Sequence, residues 1–113
     1  GGKMTQTKDA LLDMVLECQK ACNNCFYACL KEDDVKMMAE CIRLDRECAD
    51  LCGLVVDFAQ RESDRLPEIL ELCAKACDAC ADECEDHDMD HCKKCAKACR
   101  ECAEACREYA TTF

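Results

Sequence analysis

The chain has 113 residues, half of them hydrophobic, but 16 of those are Cys and only three are Phe and two Tyr. Its formal net charge of −10 argues against nucleic acid and anionic membrane as partners, and no apolar run reaches the ~18 residues of a transmembrane helix. What remains is one domain, residues 1–113, whose Leu, Ile, Val and Met alone make a thin core, so part of its stabilisation has to come from what the thiols do.

Gly1-Gly2-Lys3 reads as a trimmed start with no leader visible, and residues 1–7 precede the first element as a frayed end. Thr7 or a neighbour caps a helix running over about 8–31. It carries Cys18, Cys22, Cys25 and Cys29, spaced C-x3-C-x2-C-x3-C. Steps of four, three and four on a helix keep the four thiols within an arc of roughly 60°. Glu32-Asp33-Asp34 is an acidic turn, read as solvated surface, in which Asp33 or Asp34 is an N-cap for a second helix over about 35–60. There the template returns as Cys41, Asp45, Cys48 and Cys52, with a carboxylate in place of one thiol. Gly53 inside this helix costs up to ~1 kcal/mol against Ala and marks a place where helices could cross closely.

After the turn at 61–65, Pro67 fits the first turn of a third helix over about 66–85, with Cys73, Cys77, Cys80 and Cys84 on one face. Asp86-His87-Asp88 is the last turn, and Asp88 is the candidate cap of a fourth helix over about 89–110. That helix carries Cys95, Cys99, Cys102 and Cys106, and Cys92 extends the stripe one step backwards. These copies account for all 16 cysteines.

Four helices joined by short turns predict an all-α, up-down-up-down four-helix bundle with a cysteine-lined core. Continuing each stripe by threes and fours gathers Leu11, Met14, Val15, Val55, Val56, Ala59, Leu66, Ile69, Leu70, Tyr109 and Phe113 at one end as an apolar plug. The opposite end collects Cys29, Met37, Met38, Cys41, Cys84, His87, Met89, His91 and Cys92. Met37, Met38, His87, Met89 and His91 are therefore candidate ligands at an open mouth. The plainer reading of each is helix-start packing for the methionines and solvated loop for the histidines. Asp45 is a hard oxygen donor and reads better as a partner for a thiol or an Arg than as a soft-metal ligand.

Four chemistries compete for the thiols. Small apolar filler does not explain why every mid-helix core position is Cys. A disulfide-stapled helical bundle requires pairs on one helix face to bend towards each other, and the lattice offers too many wrong pairings. Thiol redox chemistry is suggested by Cys22-x2-Cys25, Cys77-x2-Cys80, Cys92-x2-Cys95 and Cys99-x2-Cys102, yet these lie mid-helix in an all-α chain. Soft-metal storage fits best, as Cu(I) or as a zinc-thiolate buffer. Thiols at i and i+4 bracket one Cu(I), and bridging at one Cu(I) per thiolate leaves no buried net charge.

The Cys lattice and the second-helix segment Cys41-Ile42-Arg43-Leu44-Asp45-Arg46-Glu47-Cys48-Ala49-Asp50 resemble the copper storage proteins over about residues 8–110, in particular their cytosolic bacterial branch. The resemblance implies a four-helix bundle that holds many Cu(I) ions, assembles as a homotetramer and resides in the cytoplasm. It implies storage and not enzymatic catalysis. It gives all sixteen cysteines the role of core ligand and leaves open whether a copper chaperone or a small-molecule carrier delivers the metal. Two further rows, Leu12, Leu16 and Tyr27 on the far face of the first helix and Leu44, Leu51 and Phe58 flanking the stripe of the second, are expected to mediate contacts between copies of the chain.

Overall fold

The computed structural model describes residues 7–113, so the reading of Gly1-Gly2-Lys3 and the start of the chain lies outside the described residues. Among the described residues four α-helices alternate in direction: α1 Lys8–Leu30, α2 Ala39–Gln60, α3 Leu66–Glu85 and α4 Asp90–Ala110. Each packs on two neighbours, α1 and α3 both lying against α2 and α4. This is the up-down-up-down bundle that short loops dictate.

Local chemistry sets the ends. The Thr7 hydroxyl accepts from the Ala10 N–H at 3.1 Å and closes the first turn of α1. Asp34 accepts from the Met37 N–H at 3.3 Å, but the turn it caps is a 3-10 turn over Val35–Met38, so the second α-helix begins at Ala39 and not at 35. Pro67 occupies the first turn of α3, where its missing N–H has no partner to lose. Asp88 does not cap α4. The cap is Met89, in extended conformation and without a side-chain hydrogen bond. α2 stops at Gln60, and Glu62, just past the Arg61 cap, has a φ of 54° that turns the chain through the left-handed region while the Ser63 N–H donates to the Phe58 carbonyl at 3.0 Å.

The core is an axial column of sulfur. All sixteen cysteines are fully buried, and small side chains flank them: Ala49, Ala74, Ala81, Ala96 and Ala103 let the helices come close. Gly53 serves the same purpose, since a Cβ there would stand 3.0 Å from Gln19 Nε2 of α1. Gln19 in turn donates to the Ala49 carbonyl at 3.3 Å.

Leu11, Val15, Val55, Leu66, Leu70 and Ala59 close one end as expected, with Met14, Val56, Ile69 and Tyr109 packed partly against them. Phe113 departs from the expected plug: it is 66% exposed, its ring meeting Tyr109 edge to face at 5.7 Å. The outer rows also differ from expectation. Leu12 and Leu44 are buried within the single chain, and Leu51 and Phe58 pack partly on its core. They lie at the seams between adjacent helices, where the apolar arc of a bundle helix is wider than its axial stripe. Leu16, Tyr27, Leu30, Leu54 and Leu72 remain exposed.

Candidate metal centre

The spacing of the cysteines becomes a lattice once the four stripes face one axis. Pairs one turn apart stand 3.8–4.0 Å between sulfurs: Cys18–Cys22, Cys25–Cys29, Cys73–Cys77, Cys80–Cys84 and Cys95–Cys99. Contacts between helices are as short. Cys48 lies 3.5 Å from Cys77, Cys41 3.6 Å from Cys84, Cys22 3.7 Å from Cys99 and Cys18 3.8 Å from Cys48. All sixteen are free thiols.

Several quartets bring four sulfurs within 4.8 Å of one another, among them Cys18, Cys48, Cys52 and Cys77; Cys18, Cys22, Cys48 and Cys99; Cys22, Cys80, Cys95 and Cys99; Cys25, Cys29, Cys41 and Cys92; and Cys52, Cys73, Cys77 and Cys102. The quartets overlap. Cys18 and Cys48 belong to two of them, as do Cys22 and Cys99, and Cys52 and Cys77. At a metal–sulfur bond of ~2.3 Å, three sulfurs around one ion stand ~4.0 Å apart and two in line ~4.6 Å. Four sulfurs in a tetrahedron stand ~3.8 Å apart, so the observed spacings suit three or four sulfurs around an ion with less motion than the linear pair that one helix alone suggests.

Asp45 interrupts the sulfur in the half of the column nearer the mouth. It is fully buried, and its Oδ1 accepts from Cys80 at 3.1 Å, Cys95 at 3.3 Å and Cys84 at 3.8 Å, while Oδ2 lies 3.8 Å from Cys41. The expectation of a thiol partner holds, with four partners drawn from three helices. Burial pushes its carboxyl up from 3.8 to about 8, reinforced by Cys41 and Cys84 against the lowering effect of the hydrogen bond from Cys80. At neutral pH Asp45 is mostly a neutral acid, which suits its dry setting.

Most of the thiols resist ionisation, through burial or through their neighbours, while neighbouring thiols, Cys22 foremost for Cys80 and Cys25 for Cys84, lower Cys80 to about 4 and Cys84 to about 5. Burial pushes Cys92 up to about 12 and raises Cys29, with the charge of Cys41 adding to both. Neighbouring thiols are the main cause of the upward shifts at Cys22 and Cys77. The metal-free core is thus largely a store of protonated sulfur, which a soft cation deprotonates as it binds.

At the end opposite the plug, the structure assembles some of the candidate ligands and parts others. Met38 is fully buried against the sulfur column and Met89 is half-buried beside it. Met37 is 53% exposed: successive residues of a 3-10 turn diverge by ~120°, so when Met38 faces the core Met37 faces solvent. His91 Nδ1 lies 3.3 Å from Cys25 Sγ and 3.6 Å from Cys92 Sγ, and its Nε2 lies 2.9 Å from Glu32 Oε2. His87 is 9% exposed, with Nε2 2.9 Å from Glu83 Oε2. Burial disfavours its imidazolium, but Glu83 together with Cys41 and Cys84 outweighs this and raises its pKa.

Two carboxylates of this end were not singled out in the sequence. Glu83, in the last turn of α3, stands four residues before His87 of the following loop, a spacing that carries the signal. Glu32 belongs to an acidic turn read as solvated surface, and its partner lies 59 residues away, so no local pattern announces it.

Comparison with known proteins agrees with this geometry. The sequence profile of the copper storage protein family matches residues 4–111. An uncharacterised cysteine-rich protein of Bacillus subtilis, YhjQ, is 50% identical over 95 residues, 84% of this chain and 88% of its own length. The Cu(I)-bound copper storage protein BsCsp3 superposes with a TM-score of 0.87 at 51% identity, over 90% of this chain and 96% of its own. A cytosolic copper storage protein from Streptomyces lividans, solved with five coppers, matches with a TM-score of 0.88 at 37% identity over 91% of each chain. The same Streptomyces protein has been solved loaded with 10 copper equivalents. The chain belongs to the copper storage protein family.

Proposed function

We propose that this protein takes up Cu(I) as cargo through the mouth at Met38, His87, Met89 and His91, and stores many ions per chain on its sixteen core cysteines. The observation that carries the reading is the sharing of sulfurs between quartets. Discrete tetrahedral zinc sites each need four ligands of their own. In this lattice, filling one quartet with Zn removes ligands from the next. Four thiolates on one Zn(II) also leave a charge of −2 in a dry core, which is costly. Bridging thiolates at one Cu(I) each are neutral, and a lattice of shared sulfurs is suited to bridging. The neutral thioether and imidazole groups outside the column exchange weakly held ions readily, and the thiols within hold them.

Cytosolic residence follows the Streptomyces relative, and no helix among the described residues is long and apolar enough to cross a membrane. Exposed Leu16, Tyr27, Leu54 and Leu72 support association of several copies, with a homotetramer as the expected form. Delivery by a copper chaperone or a small-molecule carrier is equally compatible with the mouth. Alkylation of anaerobically loaded protein, read by intact mass, tests the storage role. All sixteen cysteines should be protected at saturation, and reaction of a large subset would show that those thiols do not carry metal.

A further inference from the structure

The mouth contains one imidazole that is tied from both sides. His91 Nε2 faces the Glu32 carboxylate at 2.9 Å, and its Nδ1 faces two thiols, Cys25 at 3.3 Å and Cys92 at 3.6 Å. Glu32 lies just past the end of α1, and its own N–H is anchored on the Cys29 carbonyl at 3.2 Å, so the carboxylate sits on a fixed turn. An ionised carboxylate only accepts, so the ring proton belongs on Nε2 and the Nδ1 lone pair is left facing the sulfurs.

The three inner atoms already form a triangle. Cys25 and Cys92 sulfurs are 3.9 Å apart. One ion bound at ~2.3 Å to two sulfurs and ~2.0–2.1 Å to one imidazole nitrogen, with equal angles, needs S···S ~4.0 Å and N···S ~3.8 Å. The apo spacings are short of these by a few tenths of an ångström. His87 lacks this second half: its carboxylate partner, Glu83, lies only four residues before it at the end of α3, and no thiol stands within hydrogen-bond reach of its ring among the described residues.

We propose that Glu32 is a positioning residue for copper capture, holding His91 so that Nδ1, Cys25 Sγ and Cys92 Sγ form the first site an incoming Cu(I) meets. This rests on the reading of the mouth given above. Glu32 does not touch the ion. It fixes the tautomer and the ring plane, as carboxylate partners of metal-bound histidines do.

The test uses reduced full-length protein, with Glu32→Ala, Glu32→Gln, His91→Ala and the double variant Glu32→Ala/His91→Ala. In the metal-free wild type, long-range 1H–15N correlation should find His91 protonated on Nε2. Glu32→Ala should mix the tautomers and slow the early phase of Cu(I) uptake from a competing chelator by about 10-fold. Glu32→Gln, whose amide oxygen also accepts from Nε2–H, should restore both. In the His91→Ala background, Glu32→Ala should add nothing.

An Nδ1–H tautomer in the wild type would overturn the proposal, as would unchanged uptake in Glu32→Ala. Equal defects in the Gln and Ala variants would show that Glu32 acts by its charge and not by positioning. If His91→Ala itself loads at the wild-type rate, the mouth reading fails and this inference with it. If His91→Ala is slow and Glu32→Ala is not, only the role of Glu32 fails.

Discussion

Replacing Asp45 by Asn should stabilise the metal-free protein at neutral pH, by an amount that shrinks towards acid. Asp45 is fully buried among thiols, and its carboxyl is shifted from 3.8 to about 8. The folded chain keeps the proton that the unfolded chain releases. The raised folded pKa therefore contributes stability that is complete below about 3.8 and is lost as pH rises to about 8, where the slope ends. Each unit of that window costs about 1.4 kcal/mol, so the whole shift amounts to several kcal/mol as an upper bound. Asn keeps the shape and the polar contacts and has nothing to ionise. Urea denaturation of reduced apo-protein under anaerobic conditions at pH 5, 6, 7 and 8 should show the variant gaining about 1 kcal/mol per unit relative to wild type, then levelling. Parallel curves, or a wild type that grows more stable relative to the variant with rising pH, would refute the placement of a neutral acid in the sulfur column.

Other consequences are as direct. Loading in unbuffered solution should release about one proton per Cu(I), measured by pH-stat, because burial keeps thiols such as Cys29 and Cys92 protonated in the apo state; affinity should accordingly strengthen as pH rises. Leu11→Ala and Leu70→Ala, both in the plug and fully buried, should each cost ~2–5 kcal/mol in denaturant titrations while leaving capacity per cysteine intact. Replacing Met38, His87, Met89 and His91 together by Ala should slow uptake from a competing chelator and spare the final stoichiometry; an unchanged rate would return these residues to helix-end packing. Circular dichroism of reduced metal-free protein should already show the four helices, and Cu(I) should raise its melting temperature by mass action.

The sulfur column was legible because steps of four, three and four leave a helix no choice of face, and four such helices with short turns have one shared axis. Asp45 was legible for the same reason, standing at a Cys position of the template. The methionines were not: with two adjacent candidates, only the phase of the 3-10 turn decides that Met38 points in and Met37 out. Leu12 and Leu44 were assigned to an outer face because the sequence gives the stripe but not the width of the buried arc, which depends on how closely the alanine-flanked helices approach. The start of α4 was misplaced because Asp88 has the side chain of a cap while Met89 has the backbone conformation of one. The link from Glu32 to His91 is purely tertiary, joining the end of α1 to the first turn of α4.

The central claim is that shared thiolates carry the cargo, and its most direct measure is the metal count at saturation. Reduced apo-protein titrated anaerobically with Cu(I), and in parallel with Zn(II), with metal and thiol determined on the same sample, should bind on the order of one Cu(I) per cysteine and prefer Cu(I) in competition. Saturation near one metal per four cysteines, with Zn(II) preferred, would contradict the account and mark the core as a set of separate tetrahedral zinc sites.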